Sequence, residues 1–195
     1  MEPSLELLYC SLRTDVLTTR LGEYLDEFAG LINRAPLNAT LRVQRVEDSC
    51  VTCIRELNAP ECIQDVGTHV LEVLSPQYGF GRTVLLCDPS HVFARCARKA
   101  APHAEWGVAC GCLAIVYGST DKYVIWHETL HLFGAEDCYN PGNPNGHPNP
   151  NCGQPNCIMQ YAPTVANVGN WPFLCGENVS RVRQIGVTST FLESP

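Results

Sequence analysis

The chain has 195 residues, of which 45% are hydrophobic and 17% are charged, and its net charge is −7. This length is sufficient for one hydrophobic core, so we expect a single domain over residues 1–195. The negative charge argues against nucleic acid or an anionic membrane surface as a partner, and no apolar run approaches the length of a membrane span. We also expect a monomer.

The first two thirds of the chain alternate between helical and strand-like patterns. Apolar residues recur at helical spacing from Leu21 to Ile32, and short runs of branched apolar residues indicate strands. In chain order, these patterns predict a helix at 19–34, a strand at 41–46, a cysteine-bearing loop at 48–62, a second helix at 63–74, and strands at 83–86 and 108–117.

A further helix is predicted to begin after Ser119, Thr120 and Asp121, which are good N-cap residues. Apolar side chains surround most of this helix, so we expect it to be buried. Residues 139–156 are almost all Asn, Pro and Gly, which predicts either a flap over a cleft or a plain surface loop. Helical spacing returns at 179–185.

The strongest chemical pattern lies within this buried helix and reads H-E-T-L-H-L-F-G-A-E-D. His127 and His131 are four residues apart, so on a helix they project from one face and can reach one zinc ion. Glu128 cannot share their direction, but it can reach a water molecule at the same metal. Gly134 permits a left-handed backbone that ends the helix, and Asp137 beyond that turn can supply a third ligand.

An ordinary amphipathic helix with surface or core histidines is the alternative interpretation of this stretch. However, two histidines and a glutamate on a buried helix need polar partners, and a metal ion provides one. The pattern therefore favours a zinc site with His127, His131 and Asp137 as its ligands.

The extended pattern H-E-x-x-H-x-x-G-x-x-D, followed by C-I-M-Q-Y at 157–161, resembles the metzincin clan of zinc endopeptidases. The resemblance is strong from about Val108 to Tyr161. It implies that Met159 lies on a tight turn beneath the metal. It also implies that Tyr161 is a metal ligand or stabilises the transition state, as the tyrosine at this position does in the astacin-like and serralysin-like branches.

The same resemblance implies an α+β fold with a twisted, mostly parallel sheet and an antiparallel edge strand. Two long helices, one of them the zinc helix, would accompany the sheet. An N-terminal sub-lobe would span about 1–135, and a small irregular C-terminal sub-lobe would span about 136–195. In the metzincins the edge strand binds extended substrate by strand addition, and we place that edge within 107–115. The alternative is an interior strand without substrate contact.

The chain departs from the commonest metzincin pattern at the third ligand. Most members carry His where Asp137 stands, and the snapalysin-like branch carries Asp. A second likeness is to the archaemetzincins, which have cysteines at the positions of Cys138 and Cys157. Their later cysteine pair is incomplete here, because Cys175 is followed by Gly-Glu-Asn. We therefore expect one catalytic zinc ion, and no structural four-cysteine zinc site unless Cys152 supplies the missing ligand.

Twelve cysteines form the other strong signal. An even count at this density suggests disulfides and an oxidising compartment, so we expect a secreted protein. The alternative is a reduced cytoplasmic protein with buried thiols, since no signal peptide is visible after Met1. Cys110 and Cys112 fall on one face of the strand predicted at 108–117, so we expect each to bridge to a different partner.

These observations predict a zinc-dependent endopeptidase that acts on a peptide or protein substrate. In this mechanism Glu128 is the general base that takes a proton from the attacking water, and Tyr161 assists with the developing oxyanion. One alternative is a catalytically inactive binding module that retains zinc and disulfides. The other is a structural disulfide-rich protein in which the pattern is accidental.

Overall fold

A computed structural model of the chain describes about half of its residues. The described ranges are 4–11, 17–32, 40–45, 72, 82–102, 104, 106–111, 113–118, 121–138, 157–160 and 174–189. The loops predicted at 48–62 and 139–156 lie outside these residues. The helix predicted at 63–74 also lies outside them, except for Glu72, which is helical.

The described part of the chain contains a five-stranded mixed sheet in the order β2-β1-β3-β5-β4. Its strands are β1 (Ser4–Ser11), β2 (Thr40–Arg45), β3 (Thr83–Leu86), β4 (Gly107–Cys110) and β5 (Leu113–Val116). All neighbouring pairs are parallel except β4 with β5, which is antiparallel. The sequence did not reveal β1, whereas the strands at 41–46 and 83–86 are found within one residue of the prediction.

The helices in the described ranges are α1 (Leu17–Ile32), α2 (Val92–Ala100), α3 (Lys122–His131) and α4 (Gly176–Ser189). Together with the sheet they confirm an α+β protein. The expectation of two long helices is not confirmed, because α3 has 10 residues against 16 in α1. The division into two sub-lobes stays a prediction. No helix in the described ranges is both long and apolar enough to cross a membrane.

The single strand predicted at 108–117 is wrong, because this stretch forms a tight hairpin. Gly111 has a φ of 59°, a left-handed conformation that glycine adopts without a steric penalty, and it reverses the chain between β4 and β5. Because Cys110 ends β4, the expectation of one continuous strand with Cys110 and Cys112 on the same face is wrong. Among the described strands, β4 is therefore at the edge of the sheet and β5 lies inside it.

The helix α3 is buried between the sheet and α1. Every residue from Val124 to Leu130 is buried, as the apolar pattern predicts. Trp126 stacks on Phe28 of α1 with ring centroids 5.8 Å apart, and its indole N–H donates to the Tyr24 carbonyl at 3.0 Å. Burial of a side chain as large as Phe28 contributes about 1.5–3 kcal/mol, so this packing holds α3 firmly in place.

Candidate metal centre

The position of α3 is fixed at both ends by local backbone chemistry. Of the three expected N-cap residues, Asp121 is the cap, and its carboxylate accepts a hydrogen bond from the Tyr123 N–H at 2.8 Å. At the other end Gly134 has a φ of 81°, which confirms the predicted left-handed turn. The Ala135 N–H then bonds back to the Leu130 carbonyl at 3.1 Å, so the chain reverses directly beside the helix.

This reversal brings His127, His131 and Asp137 together. The Nε2 atoms of His127 and His131 lie 3.1 Å apart. Asp137 Oδ1 lies 3.0 Å from the first of these atoms and 3.3 Å from the second. The three residues that the sequence predicts as ligands therefore converge on one point, at which the described residues could hold a metal ion.

The donor atoms match the size of a zinc site. Nitrogen and oxygen ligands lie about 2.0–2.2 Å from zinc, so in a tetrahedral site they are about 3.3 Å from one another. The observed separations of 3.0, 3.1 and 3.3 Å are close to that spacing. Two imidazoles and one carboxylate also form the donor set of known catalytic zinc sites, which leave a further position open.

Backbone carbonyls orient both imidazoles for metal binding. His127 Nδ1 lies 2.9 Å from the Ile158 carbonyl, and His131 Nδ1 lies 2.8 Å from the Ala135 carbonyl. Because a carbonyl oxygen can only accept, each Nδ1 carries a proton, and each ring in its neutral form would offer the Nε2 lone pair to a metal ion. The sequence gives no indication of the contact with Ile158, which comes from a distant part of the chain.

The charges of His131 and Asp137 stabilise each other strongly. Burial alone would raise the pKa of Asp137, but the hydrogen bonds from His127 and His131 hold it well below its usual range. Burial alone would lower the pKa of His131, but the hydrogen bond with Asp137 and the Asp137 charge raise it to about 9. A cation therefore suits this position, whether it is a protonated imidazole or a metal ion.

Glu128 lies on the edge-strand side of α3, where it is 8% exposed. Burial raises the pKa of its carboxyl group above the ordinary value, while His127 and His131 oppose that shift. A Cβ atom added to Gly107 would lie 2.7 Å from Glu128 Cγ and 2.9 Å from Oε1. The carboxylate thus rests against the first residue of β4, in space that only a glycine leaves open. No sequence pattern indicates this role for Gly107.

The segment that contains Met159 packs beneath α3. Met159 is fully buried in the same core cluster as Trp126 and Leu130. The Gln160 N–H bonds to the Cys157 carbonyl at 2.9 Å and closes a tight turn. A turn at Met159 is what the resemblance to the metzincins implies. Tyr161 lies outside the described residues, so its part at the metal stays a prediction.

A second group of possible ligands lies beside the first. The sulfur of Cys138 is 3.7 Å from that of Cys157 and 3.8 Å from that of Cys175, and all three residues are buried. The pKa of Cys157 is lowered to about 6, chiefly by the hydrogen bond with Cys138. Burial opposes this shift, and backbone donors that include the Cys175 N–H add to it. Thiols of this kind are readily deprotonated and could hold a metal ion.

The expected disulfides are therefore wrong for this part of the chain. None of the six cysteines whose side chains the structure describes is bonded to another, since a disulfide requires sulfur atoms about 2.05 Å apart. The expectation of disulfides came from the number of cysteines, and that number does not indicate how far apart their sulfur atoms lie. Secretion stays a prediction, and these six cysteines no longer support it.

Among solved structures, the chain is similar to archaemetzincin from Methanopyrus kandleri, with 15% sequence identity and a TM-score of 0.48. The alignment covers 94% of this chain and 96% of that one. A likeness at this level does not by itself establish a shared activity. No family model and no curated protein matches the chain.

Zinc binding to the metal-free protein is expected to release a proton and to strengthen with pH. His131 binds metal only as a neutral imidazole, and with a pKa of about 9 it is protonated at neutral pH. Below that pH, each unit of increase should therefore raise the apparent affinity about tenfold, and the dependence should flatten above it. Calorimetry in buffers of different ionisation enthalpy measures the proton released. An affinity that does not change between pH 6 and 8 would contradict the expectation.

Proposed function

We propose that this chain is a zinc-dependent endopeptidase. The observation that carries the proposal is the convergence of His127 Nε2, His131 Nε2 and Asp137 Oδ1 within 3.3 Å of one another. The buried carboxylate of Glu128 comes from the same helix turn. Metal-assisted hydrolysis of an amide bond uses three protein ligands for the metal and a carboxylate that acts as general base, and these four side chains can fill those roles.

The division of roles follows from the chemistry of the side chains. His127, His131 and Asp137 would hold the zinc ion, which when bound supplies Lewis-acid activation of water and of the peptide carbonyl. Glu128 is outside the group of side chains that could hold the ion and would act as the general base. It accepts a proton from the attacking water and passes it to the leaving amine. The raised pKa of Glu128 is closer to neutral pH than the ordinary value, which suits a group that must both accept a proton and release it.

The edge strand β4 supports a peptide or protein as the substrate. Its neighbour in the described sheet is β5, so the other side of β4 offers backbone donors and acceptors to an extended chain. Gly107 at the start of β4 lies against the Glu128 carboxylate. A peptide bound along this strand would thus pass close to the general base. We assign the oxyanion role to Tyr161, and we relate Asp137 to the snapalysin-like form of the metzincin pattern.

We propose, in addition, that the thiols of Cys138, Cys157 and Cys175 hold a second, structural metal ion. Zinc–sulfur bonds of about 2.3 Å place the sulfurs of a tetrahedral site about 3.8 Å apart. The observed separations of 3.7 and 3.8 Å support such a site. The lowered pKa of Cys157 provides the thiolate that a metal requires. The sequence favours a single zinc ion, because Cys175 is followed by Gly-Glu-Asn and the later cysteine pair is incomplete.

Replacement of Glu128 by glutamine should abolish hydrolysis and leave the metal in place. The amide preserves size but cannot accept a proton, so the rate should fall by about 100- to 10,000-fold. Digestion of a peptide library, with and without a chelator, measures activity, and elemental analysis measures bound zinc. Glu177→Gln, at an exposed position on α4, is the matched control and should retain full activity. If the Glu128 variant cleaves normally, the assignment is wrong.

Gly107→Ala should slow hydrolysis without removing zinc. The new methyl group would lie 2.7 Å from Glu128 Cγ and push the carboxylate out of position. Since a displacement of about 1 Å can cost about 100-fold in rate, we expect a loss of that order in kcat/KM. Gly30→Ala is the control, because a Cβ there meets no atom within 4 Å. Equal activity of the two variants would show that Glu128 does not depend on the space at Gly107.

Metal content tests the thiol site. The wild-type chain should contain two metal ions, and Cys157→Ser should reduce the content to one while zinc at the histidine site is kept. Cobalt substitution should give near-ultraviolet thiolate charge-transfer bands that this variant lacks. Cys110→Ser is the control, because Cys110 is exposed at the end of β4. A content of one ion that Cys157→Ser leaves unchanged would refute the second site.

A further inference from the structure

The side chain of Asn178, in the first turn of α4, makes three hydrogen bonds to the segment that carries Asp137. It is 3% exposed. Its Oδ1 accepts from the Glu136 N–H at 2.8 Å, and its Nδ2 donates to the Glu136 carbonyl at 2.9 Å. The same Nδ2 lies 3.4 Å from the Cys138 sulfur and donates to it. One amide therefore binds both backbone groups of Glu136 and the side chain two residues later.

The residue between these two contacts is Asp137. Among the described residues, its carboxylate bonds only to His127 and His131, which are themselves metal-site residues. Its position is thus determined by the backbone on either side. That backbone is held by Asn178 at Glu136 and, on the other side, by the Cys138 N–H, which donates to the Met159 carbonyl at 2.8 Å.

We infer that Asn178 is a positioning residue for the third metal ligand, Asp137. The inference rests on the proposed function, because it takes Asp137 to be a zinc ligand. Asn178 touches neither the metal position nor the Glu128 carboxylate, and it acts by fixing the peptide groups that carry Asp137. Groups that orient metal ligands in this way typically change metal affinity or activity by about 10- to 100-fold when they are lost.

Only a carboxamide satisfies this site. The Glu136 N–H needs an acceptor and the Glu136 carbonyl needs a donor, and the amide of asparagine offers both at the correct spacing. An aspartate at 178 could accept from the N–H but could not donate to the carbonyl or to the Cys138 sulfur. An alanine would leave the two backbone groups without either contact. In the sequence, Asn178 is simply an asparagine three residues after Cys175, and no pattern there indicates a link to Asp137.

The variants Asn178→Ala and Asn178→Asp test the inference in the full chain. Zinc affinity is measured by competition with a chelator, and the visible d–d bands of bound cobalt(II) are recorded. Both measurements are made in the Cys157→Ser background, so that they report the histidine site without the proposed thiol site. We expect the zinc dissociation constant to rise about 10- to 100-fold in Asn178→Ala, with altered d–d bands. Asn178→Asp keeps one of the three contacts but sets an oxygen against the Glu136 carbonyl and the Cys138 sulfur, so it should also raise the dissociation constant.

Kinetics with a peptide substrate provide a separate readout. At saturating zinc, kcat should fall while KM changes less than about twofold, because Asn178 does not contact the proposed substrate path along β4. Arg181→Ala is the matched control. Arg181 lies one turn further along α4 and also contacts Glu136, but only through that residue's exposed carboxylate. This variant should keep the zinc affinity, spectrum and kcat of the wild-type chain.

The outcomes separate this inference from the proposed function. Unchanged zinc affinity and d–d bands in both Asn178 variants would overturn the positioning role. If Asn178→Ala does not fold, Asn178→Asp decides by the same two measurements. A wild-type chain that binds zinc through His127 and His131 but cleaves no peptide would refute the peptidase proposal alone. The affinity test of Asn178 needs no hydrolysis and would remain decisive.

Discussion

Asp137 meets the two imidazoles because the chain reverses within three residues of the end of α3. Helical spacing alone aligns His127 and His131, and it cannot supply a third ligand from the same face. The left-handed turn at Gly134 allows Asp137 to be the third ligand, because it returns the chain alongside the last turn of the helix. The Asp137 carboxylate would then offset the positive charge of a metal ion bound by the two imidazoles in this largely buried place.

The two groups of possible ligands are linked through neighbouring residues of the chain. Asp137 is followed directly by Cys138, and Cys157 is followed by Ile158, whose carbonyl orients His127. The three thiols come from three separate segments of the chain and bring them together. A metal ion bound there would therefore stiffen the surroundings of the histidine site, and Asn178 would extend the same support from α4.

Local patterns were sufficient for a large part of this architecture. The helix at 19–34, the strands at 41–46 and 83–86, and the last helix at 179–185 are found with shifts of a few residues at their ends. The strand predicted at 108–117 was interrupted by a glycine turn inside an apolar run. The helix α2 was missed because its N-cap is His91, whose Nδ1 accepts from the Phe93 N–H, and histidine is not a usual start signal.

The sequence by itself determined the face shared by His127 and His131, the cap at Asp121 and the turn at Gly134, because each depends on residues within a few positions of one another. Tertiary structure alone decided which groups surround that face. The contacts of His127 with Ile158 and of Asn178 with Glu136 join residues 31 and 42 positions apart. The contact of β4 with Glu128 and the cluster of Cys138, Cys157 and Cys175 also join residues that are far apart in the sequence. Such contacts depend on how the sheet and helices pack, and no local spacing encodes them.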